Sequence, residues 1–242
     1  FVEHLFITST HSDIVFFTNK GRGFRLKGYE IPEASRQARG IAIVNLLQLD
    51  TNEKIQATIP VTTFDDDHYL IMSTKKGIVK KTLLSEFSSQ RPGLIAIKLD
   101  EDDELVGVRH TSGSEEIILV TRNGMAIRFH EEDVRPMGRA ARGVKGITLD
   151  DDDFVVGMDT VTDDAQLLVV TELGYGKRTS LSEYRPQIRG GKGLKTLHIT
   201  EKNGPVVGMK VVREDAELMI ISVEGIMIRI RVDEISLLGR TT

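Results

Sequence analysis

A glycine-rich loop with two positive charges, residues 187–193 (QIRGGKG), carries the residue types in this sequence that most directly indicate a ligand. Its three glycines allow the backbone to pass close to a partner or to adopt positive φ. Arg189 and Lys192 supply the charge that attracts a phosphate chain, and the glycine N–H groups are further candidate donors. The sequence therefore predicts a phosphate-binding loop. Related loops that end on glycine occupy residues 35–40, 88–93 and 138–143.

Other chemistries are poorly supported by the residue spacing. The six histidines show no HxH or HxxxH spacing and have no cysteine partners, so no zinc site is predicted. The Gly191-Lys192-Gly193 run lacks the frame of a nucleotide-binding P-loop. The aspartate runs lack the EF-hand pattern. We therefore expect neither catalytic residues nor a cofactor in this stretch of chain.

Composition limits the class of protein. The chain has 242 residues, no cysteine and a net charge of −4. It holds neither a signal peptide nor an apolar run long enough to span a membrane, so a cytoplasmic protein with no membrane partner is expected. Because the sequence begins at Phe1 rather than Met, we interpret it as a fragment.

A repeat organises the whole sequence. An apolar, β-branched run followed by Thr or Ser, two residues and Gly occurs five times, which predicts five β-hairpins. The turn glycines are 56, 47, 50 and 51 residues apart. These stretches are residues 14–21, 69–77, 117–124, 167–174 and 218–225.

A second strand follows each turn and carries a basic residue four positions after the turn glycine. Its alternation of apolar and basic residues predicts one apolar face and one charged face. A glycine loop and a further apolar strand complete each unit of about 50 residues and roughly four strands. Strand repeats of this length predict an all-β, propeller-like ring, with a pair of β-sandwiches as the alternative. The five basic residues are Arg25, Lys81, Arg128, Arg178 and Arg229.

Charge is distributed unevenly along the repeat. The five segments from each turn glycine to just past its glycine loop sum to +13, whereas the remaining residues sum to −17. Because equivalent positions lie at one height on a ring, we expect a positive belt with the acidic runs at another level, which suits a polyanion. The alternative is that these cations only prevent edge-to-edge aggregation. The acidic runs are expected to be solvated loops; they include residues 65–67, 100–104 and 150–153.

Three stretches carry a resemblance to a known family. The 187–193 loop resembles the GyrA-box of DNA gyrase A, and residues 174–185 and 17–32 resemble the C-terminal domain of that protein. The resemblance implies one β-pinwheel domain over residues 1–242, of a type with six blades that exchange a strand. It also implies a domain that wraps duplex DNA around a basic perimeter and directs negative supercoiling. Topoisomerase IV, which shares the fold, and a protein-binding propeller are the alternatives.

Two departures from the family pattern bear on this interpretation. The principal box of the family reads QRRGGKG or QRRGGRG and lies in its first blade, whereas Ile188 replaces one arginine here. Five repeats are visible, and we expect the first blade to be incomplete and the last to be truncated. The implied partners are duplex DNA, the N-terminal part of the same polypeptide, which holds the DNA-cleaving tyrosine, and DNA gyrase B. A bacterial, nucleoid-associated location would follow.

The candidate DNA-binding residues are the cations of the second strands and glycine loops, together with the box itself. Phosphate contacts should dominate, because no recognition helix or zinc finger is evident. The candidates are Arg25, Arg36, Arg39, Lys80, Lys81, Arg128, Arg139, Arg142, Lys177, Arg178, Gln187, Arg189, Gly190, Gly191, Lys192, Gly193, Arg229 and Arg231.

Overall fold

Strands and short turns account for the secondary structure of residues 3–242, the part of the chain that the computed structural model describes. The strands are β1 (Asp13–Thr18), β2 (Arg22–Lys27), β3 (Ile55–Val61), β4 (Tyr69–Thr74), β5 (Ile78–Leu83), β6 (Leu94–Ile95), β7 (Leu105–Thr111), β8 (Glu116–Thr121), β9 (Met125–His130), β10 (Val144–Lys145), β11 (Val155–Val161), β12 (Gln166–Thr171), β13 (Gly176–Ser180), β14 (Leu194–Lys195), β15 (Val206–Val212), β16 (Glu217–Ile221) and β17 (Met227–Arg231). The 3₁₀ helices are Gly28–Glu30, Ile43–Asn45, Leu84–Phe87, Glu131–Asp133, Leu181–Glu183 and Val232–Glu234.

The Thr/Ser-x-x-Gly motif builds the five predicted hairpin turns. In the third turn, the hydroxyl of Thr121 accepts a hydrogen bond from the N–H of Met125 at 3.1 Å, and Gly124 has a φ of +83°. A Cβ on Gly124 would lie 2.4 Å from the carbonyl oxygen of Leu197, so both the turn and a close neighbour require glycine. Thr18, Thr74, Thr171 and Ser222 accept the equivalent bond in the other turns.

The hairpins pair into sheets whose fourth strand comes from the following repeat. Sheet 1 has the order β3-β1-β2-β6, sheet 2 the order β7-β4-β5-β10, and sheet 3 the order β11-β8-β9-β14. Sheet 4 (β15-β12-β13) and sheet 5 (β16-β17) are smaller. The exchanged strands β6, β10 and β14 form the outer edges of their sheets, since β3, β7, β11 and β15 lie side by side at the centre.

The hydrophobic core lies between neighbouring sheets. In β8, Ile117 packs with Ile71 of sheet 2, whereas the next residue, Ile118, packs with Leu167 of sheet 4. Both faces of a hairpin are therefore buried, which explains why the first strands are continuous apolar runs rather than alternating ones. Near the centre, Gly157 leaves room for Met209, whose Cγ would be 2.8 Å from a Cβ.

These features confirm the predicted all-β, propeller-like architecture with strand exchange. Five sheets of decreasing completeness are present in residues 3–242, and adjacent repeats share their cores, which a pair of β-sandwiches would not produce. The exchange places the glycine loop of each repeat after the first on the sheet of the repeat before it.

Candidate nucleic-acid interface

Four glycine loops cross the outer edge of the preceding sheet, and we call them the rim loops. Each lies on the second hairpin strand of its neighbour, as in the pairing of β14 with β9 and of β10 with β5. The rim loops are residues 88–93 on sheet 1, 138–143 on sheet 2, 187–193 on sheet 3 and 239–242 on sheet 4.

The 187–193 loop owes its shape to its glycines and to backbone hydrogen bonds. Gly193 has a φ of +79°, and a Cβ there would lie 2.3 Å from the carbonyl oxygen of Ala126. Gln187 donates its N–H to the carbonyl of Arg128 at 2.7 Å. The N–H of Gly190 donates to the carbonyl of Gly146 at 2.7 Å. This last bond removes the Gly190 N–H from the predicted phosphate donors.

One arginine recurs at the same place in three rim loops. Arg139 donates to the carbonyl of the preceding outer strand at Ile95, at 2.8 Å, and Arg189 donates to the equivalent carbonyl of Lys145 at 3.0 Å. Arg240 makes the same contact with Lys195 at 2.7 Å. Arg240 is absent from the predicted residues, although its spacing of 51 residues from Arg189 would have identified it.

Four predicted DNA contacts lie inside the protein. Lys80, Lys81, Lys177 and Arg178 are at most 4% exposed. Lys81 donates to the carbonyl of Glu131 at 3.0 Å, and Arg178 donates to that of Ile235 at 2.8 Å. The prediction of a solvent-facing charged side for these strands is wrong in β5 and β13, because the rim loop and 3₁₀ helix of the next repeat cover that side.

The equivalent arginines on the other second strands are held by carboxylates. Arg25 donates to Asp13 at 2.8 Å, and Arg128 pairs with Glu116 while also donating to the carbonyl of Leu181 at 2.9 Å. In sheet 5, Arg229 pairs with Glu217, and Arg231 pairs with Asp233. These arginines brace the hairpins and neighbouring repeats, and Arg229 and Arg231 also remain well exposed.

Acidic side chains pair with the side chains of Arg142 and Lys192 in the rim loops, which corrects the expectation of fully separated charges. Arg142 makes hydrogen bonds of 2.5–2.9 Å to Asp100, and Arg142 lowers the pKa of that carboxyl. Lys192 lies 3.6 Å from Asp150, and both side chains are 73% exposed. Arg36 and Arg39 are also exposed, in the 35–40 loop.

One aspartate in each of two acidic runs has a structural role rather than a solvated one. Asp103 is 8% exposed and accepts the N–H of Lys76 in the hairpin turn at 2.9 Å. Asp153 accepts the N–H of Asn123 in the same way at 2.9 Å. These carboxylates tie each turn to the central strand, so the acidic runs are not simply solvated loops.

One partly exposed group of potential metal ligands is present within residues 3–242. Asp65, Asp67 and His68 bring their ligand atoms within 4.8 Å of one another. Asp65 accepts a hydrogen bond from the His68 N–H and lies 2.9 Å from its ring, which raises the pKa of His68. Hydrogen bonding within the loop therefore accounts for this geometry.

A central cavity of about 680 Å³ lies among the inner strands and has no single charge sign. Its lining includes Arg109 and Lys210 as well as Asp159 and Glu217. In the part of the chain described, no helical segment has the length and apolarity that crossing a membrane requires.

The ring of strand-exchanging sheets with cationic loops on its outer edges defines a β-propeller of the pinwheel type. The chain belongs to the DNA gyrase C-terminal domain family, described as a β-propeller. The family model matches residues 12–62, 68–112, 115–162, 165–213 and 216–242. The five matched segments coincide with the five repeats.

Known proteins agree with this assignment. The chain is 67% identical over 243 residues to the DNA gyrase A protein of Halalkalibacterium halodurans and 50% identical over 244 residues to that of Staphylococcus aureus. The two alignments include 100% and 99% of this chain but only 29% and 28% of the length of the two relatives. The chain thus spans less than a third of the gyrase proteins it matches.

Two solved structures have the same fold. The C-terminal domain of DNA topoisomerase IV matches with a TM-score of 0.88 and 31% identity, covering 96% of this chain and 73% of that one. The DNA gyrase A C-terminal domain matches with a TM-score of 0.85 and 28% identity, covering 96% and 76%. The predicted resemblance to the gyrase family is therefore confirmed.

Proposed function

We propose that this chain binds duplex DNA through the phosphate backbone and bends it along the outer edges of its sheets. The observation that carries the proposal is the recurrence of one arginine on three successive rim loops, at Arg139, Arg189 and Arg240. Each guanidinium donates at least one N–H group to the preceding outer strand, and its remaining N–H groups can donate to a phosphate. A repeated cation on a curved edge suits a polyanion that follows the curve.

The contact set is smaller than the sequence predicted. The four buried side chains at positions 80, 81, 177 and 178 act inside the protein, and Arg25 and Arg128 are largely occupied by carboxylates and carbonyls. Exposed or partly exposed cations remain on the loops and on sheet 5. Among the predicted residues they are Arg36, Arg39, Arg139, Arg142, Arg189, Lys192, Arg229 and Arg231, and the repeat adds Arg240.

Phosphate neutralisation supplies the affinity in this proposal. Bending a duplex costs on the order of 1–6 kcal/mol per 20–30 base pairs. Contacts from several rim loops must offset this cost, so the bend needs the loops to act together. Affinity should fall with salt, with a log–log slope of about −0.9 for each phosphate neutralised.

Because the sequence relatives are DNA gyrase A proteins, we assign the chain to the non-catalytic part of an ATP-dependent type II topoisomerase. DNA cleavage and nucleotide hydrolysis would reside elsewhere, in the N-terminal part of the same polypeptide and in DNA gyrase B. The bend then gives strand passage its direction towards negative supercoiling. A protein-binding propeller is the outcome to be distinguished from this proposal.

Ligation of nicked circular DNA with bound protein tests the proposal. A change in linking number after ligation is expected, with binding that weakens steeply as salt increases. Changing both Arg189 and Lys192 to Ala should reduce the linking-number change, whereas changing Lys210 and Arg213, exposed cations away from the rim loops, to Ala should not. Binding without any change in linking number would contradict the bend. An affinity independent of salt would rule out phosphate neutralisation as its source.

A further inference from the structure

Two of the buried cations, Lys80 and Lys177, share an arrangement that the proposed DNA contacts do not use. The Nζ of Lys177 donates to the carbonyls of Gly239 and Arg240, at 2.7 and 2.9 Å. The Nζ of Lys80 donates to the carbonyls of Gly138, at 3.3 Å, and of Arg139. In both repeats the lysine therefore holds the glycine and the arginine of the rim loop above it.

Each lysine has a further acceptor, and each loop a second attachment. The third carbonyl belongs to Ala96 for Lys80 and to Thr242 for Lys177. An ammonium group has three donors and no acceptor, so three converging carbonyls match it. The second attachment is a carboxylate that accepts a hydrogen bond from the backbone N–H of the rim-loop arginine. Glu86 accepts from Arg139 at 3.0 Å, and Glu183 accepts from Arg240 at 3.1 Å.

Sheet 3 provides the contrast within the same molecule. Ile127 stands at the position of these lysines, three residues after the turn glycine. The Cβ position of Gly191 is 3.8 Å from the Ile127 Cδ1, so the 187–193 loop rests on an apolar side chain there. The fold therefore does not require this lysine, which is present only at the outer edges of sheets 2 and 4.

We infer that Lys80 and Lys177 are positioning residues, which clamp the rim loop of the next repeat and so fix the direction in which its arginine faces DNA. The role at the DNA surface rests on the proposed function, whereas the clamp itself is a property of the free protein. A buried lysine Nζ that faces three backbone carbonyls cannot contact a phosphate. Its removal frees the backbone of the arginine without removing the arginine.

Amide hydrogen exchange of the free protein tests the clamp. Lys80→Met keeps the length and apolar volume of the side chain, and exchange in residues 138–142 should accelerate by about tenfold, the worth of one or two net hydrogen bonds. Exchange in residues 187–193 should not change. Ile127→Met is the matched variant at the third edge and should leave residues 138–142 unaffected. Unchanged exchange in residues 138–142 of Lys80→Met would overturn the clamp.

DNA binding then separates positioning from direct contact through a double-mutant cycle. Lys80→Met should weaken binding by about threefold to tenfold in the wild-type background and by much less when Arg139→Ala is already present. An undiminished loss in that background, with a salt slope lower by about 0.9, would mean a direct phosphate contact and would overturn positioning.

A variant at the second lysine protects the test against misfolding. Lys177→Met makes the equivalent change on sheet 4, where the lysine holds Gly239 and Arg240. If Lys80→Met does not fold, faster exchange in residues 239–242 of Lys177→Met supports the clamp, and unchanged exchange there contradicts it. If wild-type protein fails to bind DNA at low salt, the proposed function fails while the exchange result still decides the clamp.

Discussion

The outer edges of sheets 2 and 3 carry the same backbone path by different means. On sheet 2, the 138–143 loop is held by the buried Nζ of Lys80, and its exposed Arg142 is hydrogen-bonded to Asp100. On sheet 3, the 187–193 loop is held by glycine backbone that approaches Ala126 and Ile127, and Lys192 makes a longer, more exposed contact with Asp150.

The difference separates two requirements that both edges must meet. A loop has to be ordered, and it has to offer charge to the solvent. Sheet 2 uses charged side chains for both purposes, so part of its charge is neutralised inside the protein. On sheet 3 the loop is ordered by the close packing of its glycine residues, so its cationic side chains are not needed inside the protein and can contact a ligand. Both edges need a glycine at the close approach, since a Cβ on Gly143 would lie 2.5 Å from the carbonyl oxygen of Val79. We therefore expect both edges to depend on glycine and only sheet 2 to depend on lysine as well.

The largest expected effect is the loss of glycine at the edge of sheet 3. In Gly193→Ala the new Cβ would meet the carbonyl of Ala126 at 2.3 Å while φ is +79°. The free energy of unfolding should fall by about 2–4 kcal/mol, measured by urea denaturation.

Gly40→Ala is the matched control for this substitution. Gly40 has a φ of +73°, but nothing lies within 4 Å of its Cβ position. Strain alone predicts a loss of about 1–2 kcal/mol there. Equal losses for the two variants would show that the close approach at Gly193 contributes nothing.

The repeat was readable from the sequence because its determinants are local. Thr121 and Gly124 make one turn together, and the same four-residue motif marks the other hairpins. The burial of Lys80 could not be predicted from the sequence, since it depends on a loop 58 residues further along the chain, at Gly138. Alternation predicts an exposed face only when one face of a sheet is left to solvent. Strand exchange covers both faces, and a single repeat carries no sign of this.

The second expected effect concerns pH and distinguishes the lysine edge from the isoleucine edge. Burial lowers the pKa of Lys80 to about 7 from its ordinary value of 10.5, with Glu86 opposing and Arg139 reinforcing the shift. Between these two values the unfolded chain binds the additional proton, so the free energy of unfolding should increase as pH rises. The gain between pH 7 and 8.5 should be about 1–2 kcal/mol, because a full proton is worth about 1.4 kcal/mol per pH unit.

This gain is best measured as a difference between wild type and Lys80→Met. Lys177, whose pKa burial lowers to about 8, is present in both proteins and cancels. The same comparison with Ile127→Met in place of Lys80→Met should show no pH-dependent difference. A difference between the two proteins that stays constant from pH 7 to 8.5 would mean that the three carbonyls offset burial and keep Lys80 protonated.

The third expected effect is on DNA affinity and compares the two exposed cations directly. Lys192→Ala should weaken binding about threefold to tenfold and lower the salt slope by about 0.9, as for a full phosphate contact. Arg142→Ala should weaken binding about twofold, since Arg142 must first leave Asp100. Competitive titration of labelled duplex at several salt concentrations gives both values. A larger loss for Arg142→Ala would reverse the proposed ranking of the two edges.

The smallest expected effect comes from the carboxylates themselves. Asp100→Asn removes the charge that competes with DNA for Arg142, so affinity should increase about twofold to threefold; Asp150→Asn should give a smaller increase, because its contact with Lys192 is long and exposed. Asp67→Asn, an exposed charge away from both loops, measures the general benefit of losing one negative charge. Equal affinities for all three variants would show that only the net charge of the protein affects DNA binding. The two edges would then differ in how their loops are held but not in the charge that they present to DNA.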